Sequence, residues 1–337
     1  MKKVRVGIVG FGQIGPVHLR SYQQFPEKVE VAAVVDLLDE KLVLAKESGV
    51  DQVMKDYQEL LARDDVDAVS VCIPTHLHRE LAEQAAAAGK HVFCEKPMAM
   101  TAADASAIEA ACSKAGVKLQ LGFVRRFDHE WLKFREIVQS KTLGDKVVWR
   151  SVAASQGAPT PWFFQRELGG GPFMDGAVHN YDFGHHLFGS VKQVTAHGTM
   201  LQPDRTVMDT GTAVIEYSTG DILQMMWSWG LQAGSTGSAA HDVLGSEGAL
   251  LFTGAGKDPL DKEASNIGYL TINRPGREQE PHSYVKNDMF RDELESFIDC
   301  IREDKPTLVT AEHGKEALRV ALAVLESAET GQTVQLT

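Results

Sequence analysis

Through residues 4–121, short runs of β-branched and other apolar residues alternate with stretches whose apolar positions recur at helical spacing. The runs cover residues 4–9, 29–35, 68–73, 91–94 and 118–121 and are apolar at most successive positions rather than at every second one. That texture belongs to strands buried on both faces of a parallel sheet, with the helices as crossovers. Helix ends are punctuated as expected: the segment 82–88 stops at Gly89, and Thr101 stands where it caps a helix over 102–115 that stops at Gly116. This part of the chain predicts an α/β domain with a doubly wound parallel sheet.

Beyond Gly122 the pattern changes. A polar-faced helix around 128–140 leads into longer alternating runs at 147–155, 193–201, 210–218, 221–229 and 241–244, with few helices between them. Alternation with short connections predicts a large, mostly antiparallel open sheet. Gly- and Pro-rich segments at 157–172, 233–239 and 254–266 read as loops, and the chain returns to helix at 289–303 and at 311–330, where Thr310 is the cap. A length of 337 residues also exceeds what one core usually supports. The expected division is therefore 1–122 for the α/β domain and 123–337 for an α+β domain.

Composition narrows the partners. With 43% hydrophobic and 24% charged residues the chain is an ordinary globular protein, and its net charge of −12 opposes a nucleic-acid backbone. Cys72, Cys94, Cys112 and Cys300 are widely spaced, show no zinc-motif spacing and read as buried, reduced thiols. The basic start Met1-Lys2-Lys3 is followed by an apolar run cut by Gly7, Gly10, Gly12 and Gln13, which is not the pattern of an export signal. No stretch approaches the roughly 18 uncharged apolar residues of a membrane span. A cytoplasmic protein with no membrane partner is expected.

The segment Gly10-Phe11-Gly12-Gln13-Ile14-Gly15 lies between the first strand and a helix, with its glycines at the spacing of the dinucleotide fingerprint. Gly10 permits the tight turn, Gly12 lets backbone N–H groups approach a pyrophosphate, and Gly15 allows helix and strand to pack closely. The second strand ends at Asp36, 21 residues beyond Gly15, where a carboxylate accepts hydrogen bonds from ribose hydroxyls and repels a 2′-phosphate. Leu37 and Leu38 offer no basic clamp, so NAD is expected over NADP. The first domain is thus read as a Rossmann domain, although Asp36 could also simply cap the helix that follows.

The same loop is joined by Pro74-Thr75-His76-Leu77-His78, by His91-Val92-Phe93-Cys94-Glu95-Lys96-Pro97, by Gly122-Phe123-Val124-Arg125-Arg126-Phe127 and by the segment 169–182. Together these motifs resemble the Gfo/Idh/MocA oxidoreductases. The resemblance implies hydride transfer between NAD and a hydroxyl or keto carbon of a sugar or cyclic polyol, in a homodimer or homotetramer. It implies that Pro74, Thr75, His78, Glu95 and Lys96 border the nicotinamide half of the cofactor, and that Lys96 and His179 are the catalytic lysine and histidine. Arg125 and Asp175 match positions lining the substrate pocket, and residues 290–301 match a late helix that returns toward the cofactor domain. Asn180 departs from the family, many of whose members carry an acid there.

The residues support this chemistry on their own. Lys96 follows a strand at the carboxyl edge of the sheet, where open α/β folds bind ligands, and a cation there favours deprotonation of a hydroxyl. The bland alternative is a solvated surface lysine. Asp175, His179, Asp182 and His186 fall at intervals of four, three and four, along one face of a helix starting near residue 173. In one reading His179 is the general base, Asp175 assists it and Asp182 meets the substrate; in another the stripe binds a divalent metal; in the dullest it is core or solvated polarity. The nicotinamide site and Lys96 favour the base, with no metal.

Trp162, with Phe163 and Phe164, forms either an aromatic wall over a sugar or cofactor, or an anchor for its own loop. Trp227 and Trp229 share one side of a strand and point to packing or a subunit interface. Two other functions fit the same residues: a non-catalytic NAD-binding sensor, and a lyase or glycosidase using tightly held NAD without net redox change.

Overall fold

The computed structural model describes residues 2–252 and 266–336. The loop expected over 254–266 lies, but for its last residue, outside the described residues. The chain forms two compact units, Met1–Val124 with Asp288–Leu318, and Arg125–Asn287 with Arg319–Thr337.

The first unit opens with β1 (Val4–Val9), α1 (Gly15–Tyr22), β2 (Val29–Val35), α2 (Asp39–Glu47), β3 (Val53–Met54) and α3 (Tyr57–Leu61). It continues with β4 (Ala68–Val71), α4 (His78–Ala87), β5 (His91–Cys94), α5 (Ala102–Ala115) and β6 (Leu119–Leu121). The strands form a sheet in the order β3-β2-β1-β4-β5-β6, every pair parallel. Strand order reverses between β1 and β4, which places a ligand crevice outside the carboxyl ends of those strands. β4 is buried at every position, as its unbroken apolar run predicts. Thr101 caps α5 by accepting the Asp104 N–H, and Gly116 ends it in the left-handed conformation.

The second unit contains α6 (His129–Gln139), β7 (Val147–Ala154), α7 (Val178–Phe188), β8 (Val191–Thr199), β9 (Thr210–Tyr217) and β10 (Ile222–Ser228). Four further strands are β11 (Ser238–Gly245), β12 (Gly248–Phe252), β13 (Ile267–Asn273) and β14 (Glu280–Val285). A nine-stranded sheet runs β14-β13-β12-β11-β7-β10-β9-β8-β15, where β15 is Val334–Gln335. All neighbours are antiparallel except β7 and β10. Alternation sorts the faces: Trp149, Ala213, Ile215, Leu223 and Met225 are buried, whereas Val152, Val214, Leu244 and Tyr269 stay exposed on the other side. Trp131 and Phe134 of α6 and Phe183 of α7 cover the inner face, with Trp131 5.0 Å from Phe183 and 5.7 Å from Trp149 between ring centroids. The outer face is open.

Compactness divides the chain differently from a single cut after residue 122. α8 (Met289–Arg302) packs in the first unit, where Leu294, Phe297 and Ile298 join the core of Val6, Ile8, Phe11 and Phe93. Burying each such side chain contributes roughly 1.5–3 kcal/mol, so the helix goes where its apolar stripe is covered. Lys28 fastens it by ion pairs to Glu295 at 2.7 Å and Asp299 at 2.8 Å. Among the described residues no helix is long and apolar enough to cross a membrane.

Candidate active site

β1 runs into Gly10, whose φ of +93° is a conformation that favours glycine. A Cβ there would also stand 2.3 Å from the Cys72 carbonyl oxygen, and one on Gly15 would stand 2.2 Å from the Gly10 oxygen. Gly12 differs, because a Cβ added to it meets nothing within 4 Å. The loop therefore has two closed glycines that make the turn and one that faces open space. α1 has no side-chain cap; Pro16 in its first turn carries no N–H, and the Val17 and His18 N–H groups both donate to the Ile14 oxygen, at 2.9 and 3.0 Å. Phe11 is buried beneath the loop, while Gln13 is exposed and Ile14 half-buried.

Asp36 stands beside this loop: its Oδ2 accepts the Phe11 N–H at 2.7 Å and its Oδ1 accepts the Leu38 N–H at 3.0 Å. Each oxygen keeps a lone pair for a ribose hydroxyl. The open side of Gly12, the uncapped α1 and the half-buried carboxylate together fit a dinucleotide, and Leu37 and Leu38 remain exposed with no cation supplied to a 2′-phosphate.

At the ends of β4 and β5, Pro74 leads into a turn at Thr75–Leu77, in which Thr75 is buried. His78 has Nδ1 2.9 Å from the Pro97 oxygen and Nε2 2.9 Å from the Ile73 oxygen, and burial pushes its imidazole below the ordinary range. Its two ring nitrogens face backbone oxygens of two turns, and the neutral imidazole donates to one of them. Lys96, half-buried, precedes a cis peptide bond to Pro97. The neighbouring Glu95 is buried, with Oε1 2.9 Å from Nε2 of His18.

In the second unit Gly170 and Gly171 both have positive φ, and the chain then makes a wide turn at Pro172–Gly176. The Ala177 N–H reaches back five residues to the Pro172 oxygen at 2.8 Å. A single helix from about residue 173 was expected; the wide turn breaks its register before α7. Gly176 lets the turn pack against Trp227 and Trp229, since a Cβ there would come within 2.8 Å of each indole. Asp175 is buried on this turn and His179 is half-buried in the first turn of α7.

The lower half of the polar stripe has another use. Asp182, expected to meet substrate, is buried, and both its oxygens accept guanidinium N–H groups of Arg126 at 2.8–3.1 Å. Burial pushes its carboxyl up, against the opposing pull of Arg126. His186 lies 3.4 Å from the same guanidinium. Among the described residues no group of three or more His, Cys, Asp or Glu side chains is placed to hold a metal ion.

Arg125 donates to the Asn180 oxygen at 2.8 Å and lies 4.1 Å above the Trp131 ring, while Asn180 donates to Ser151 at 2.7 Å. Burial lowers Arg125 to about 10. Asn180 thus gives this guanidinium a neutral acceptor. Trp162 stacks on Phe163 at 3.7 Å, Phe163 and Phe164 meet Trp229 edge-on, and Arg205 covers Phe164 at 3.8 Å. Phe163 and Phe164 therefore anchor the loop, and Trp227 and Trp229 pack inside the unit. Sequence reasoning missed His18, Arg126 and His241, whose roles depend on partners 77, 56 and 116 positions away: Glu95, Asp182 and Arg125.

Residues 4–123 match the family model described as an oxidoreductase family with an NAD-binding Rossmann fold, and residues 133–336 match that family's C-terminal alpha/beta domain. The chain belongs to the Gfo/Idh/MocA oxidoreductase family. It is 30% identical to the myo-inositol 2-dehydrogenase of Thermotoga maritima, over 99% of this chain and 98% of that one. It is also 30% identical to the D-glucoside 3-dehydrogenase of Escherichia coli, over 99% and 97%. Among solved structures, the aldose–aldose oxidoreductase of Caulobacter crescentus superposes with a TM-score of 0.82 at 26% identity, covering 99% of this chain and all of that one (100%). The protein is an NAD-dependent oxidoreductase.

Proposed function

We propose that this oxidoreductase is a dehydrogenase acting on a hydroxyl or keto carbon of a sugar or cyclic polyol, with its first unit holding NAD and its second receiving the substrate. The observation that carries this reading is the placement of the glycine loop, Asp36 and the Lys96 turn at the carboxyl ends of one parallel sheet. Gly10 to Gly15 cradle the pyrophosphate, Asp36 holds the adenosine ribose, and Pro74, Thr75, His78, Glu95 and Lys96 border the nicotinamide side. NAD, when bound, supplies the ring that takes up or returns the hydride.

The chain's own groups handle the proton. His179 removes it from the substrate hydroxyl, Asp175 favours the imidazolium that results, and Lys96 stabilises the developing alkoxide. Arg125 and Trp162 contact the substrate, and Asp182 acts through Arg126. The names of relatives support a polyol or sugar, since these include inositol and glucoside dehydrogenases.

A panel of polyols and sugars with NAD, followed at the nicotinamide absorbance, tests the assignment. Turnover with at least one is expected. None across the panel favours the sensor, and product without net NADH favours the lyase. His179→Ala should lose about 10²–10⁴-fold in turnover with NAD affinity nearly unchanged, and should lose the acid limb of the pH profile. Near-native turnover in that variant places the base elsewhere. Chelator sensitivity restored by a divalent ion would favour the metal reading.

The open sheet face, with Val152, Val214, Leu244 and Tyr269 exposed, supports a homodimer or homotetramer, which light scattering tests, a monomer being the contrary result. We place the enzyme in the cytoplasm, and the four free, buried cysteines Cys72, Cys94, Cys112 and Cys300 support this.

A further inference from the structure

A chain of buried polar groups in the first unit leads from His18, which has no cofactor or proton role, to Glu95 and the Lys96 turn. His18 lies one turn into α1, three residues after Gly15, and is fully buried. Its Nδ1 is 3.4 Å from the Cys72 Sγ, and its Nε2 is 2.9 Å from Oε1 of Glu95. The other oxygen of Glu95 accepts the Lys96 N–H at 3.2 Å. Phe93 meets the imidazole edge-on at 5.3 Å. The Glu95 carboxyl group also lies against Gly122, where a Cβ would come within 3.0 Å of its carbon and both oxygens. Helix α1, the Lys96 turn and the chain after β6 therefore enclose one carboxylate.

Burial pushes the Glu95 carboxyl up, but the His18 hydrogen bond and the charges of His18 and Lys96 outweigh it and hold the group below its usual range. As a carboxylate, Glu95 needs donors, so Nε2 of His18 carries a proton toward it. Cys72, pushed well up by burial, keeps its own proton opposite Nδ1. Burying a carboxylate costs several kcal/mol even when it is hydrogen-bonded, and apolar side chains of similar volume would usually fill such a site as well or better. Stability alone therefore does not explain this arrangement. What the chain ends on is the backbone of Lys96.

We propose that His18 is a positioning residue for Lys96: it holds the Glu95 carboxylate against the Lys96 amide, so that the helix opening from the dinucleotide loop and the turn bearing the lysine keep one geometry. The proposal rests on the reading of Lys96 as part of the reaction. His18 touches neither cofactor nor substrate in this role and acts only through Glu95.

The test compares the wild type with His18→Leu, His18→Gln and Glu95→Gln in the full chain. Lysines are reductively methylated with ¹³C, and the Lys96 signal is assigned by its loss in Lys96→Arg. His18→Leu and Glu95→Gln should shift that signal and lower kcat about 10- to 100-fold at saturating NAD, the scale of a small misplacement of a reacting group. In the His18 variants the NAD Kd, read by intrinsic fluorescence, should change little. His18→Gln, whose amide nitrogen replaces Nε2–H, should restore the signal and most of kcat. A folded His18→Leu with wild-type signal and kcat overturns the proposal, as does His18→Gln failing as badly as His18→Leu. If His18→Leu does not fold, the contrast between Glu95→Gln and His18→Gln decides in the same way. If the wild type turns over no sugar or polyol, the functional reading fails, while the Lys96 signal still decides the positioning.

Discussion

Asp36 accepts the backbone N–H of Phe11 at 2.7 Å, which sets a carboxylate from the end of β2 against the glycine loop that follows β1. The contact fixes the acid before any cofactor arrives, so little ordering remains to be done on binding. Hydrogen bonds to a charged group are worth roughly 1.5–3 kcal/mol, so Asp36→Ala should weaken NAD roughly tenfold to a hundredfold and narrow its preference over NADP. Fluorescence titration with both dinucleotides reads this. Equal affinities for the two in the wild type would remove Asp36 from the specificity.

Gly12 separates binding from folding. A Cβ there meets no protein atom within 4 Å, so Gly12→Ala should leave the unfolding free energy within about 0.5 kcal/mol of the wild type. The same methyl projects into the space a pyrophosphate needs, and NAD affinity should fall at least about tenfold. Gly10→Ala, with its positive φ and the Cys72 oxygen in the way, should lose stability as well.

The Arg126–Asp182 pair is buried on both sides, at 7% and 1% side-chain exposure. Asp182→Asn removes the only charge in direct contact with the guanidinium among the described residues, and should destabilise the second unit by about 3–5 kcal/mol. Urea unfolding followed by Trp fluorescence measures it. An unchanged midpoint would show that the guanidinium finds another partner.

His241 sits among Trp131, Trp149 and Phe252, and its value is lowered to about 4 by burial and then by the Arg125 charge, against a smaller opposite pull from Asp242. The unfolded chain binds the proton near the ordinary histidine value, so between about pH 6.5 and about pH 4 it holds more protons than the folded one. Stability is therefore complete above that window and falls as the medium is acidified, by about 2 kcal/mol from this residue between about pH 7.5 and pH 5. His241→Phe should remove that share of the slope. A slope equal to the wild type's would assign the acid sensitivity to other groups.

Much of this protein follows from local pattern. Unbroken apolar runs gave β1, β2, β4 and β5 within about two residues, because a strand buried on both faces needs apolar side chains at nearly every position. The glycine spacing and Asp36 were equally legible, since a tight turn and a strand-end acid are local requirements. The strands β12, β13 and β14 were not foreseen; of these only β14 has a mixed polar sequence, and the three are held by pairing in turn along one edge of the sheet.

What only the tertiary structure decided is which polar group meets which. The sequence placed Asp175, His179, Asp182 and His186 on one stripe; Asp175 lies on the wide turn at Pro172–Gly176 ahead of α7, and Arg126 takes the lower half of the stripe. His18 and Glu95 are 77 positions apart, and nothing near either residue announces the other. The sequence by itself determined the parallel sheet and the glycine loop, because these depend on steric and solvation preferences acting over a few residues. Their partners, their burial and the return of α8 to the first unit were decided by long-range packing, in which each buried charge must find a counterpart and each apolar stripe a cover.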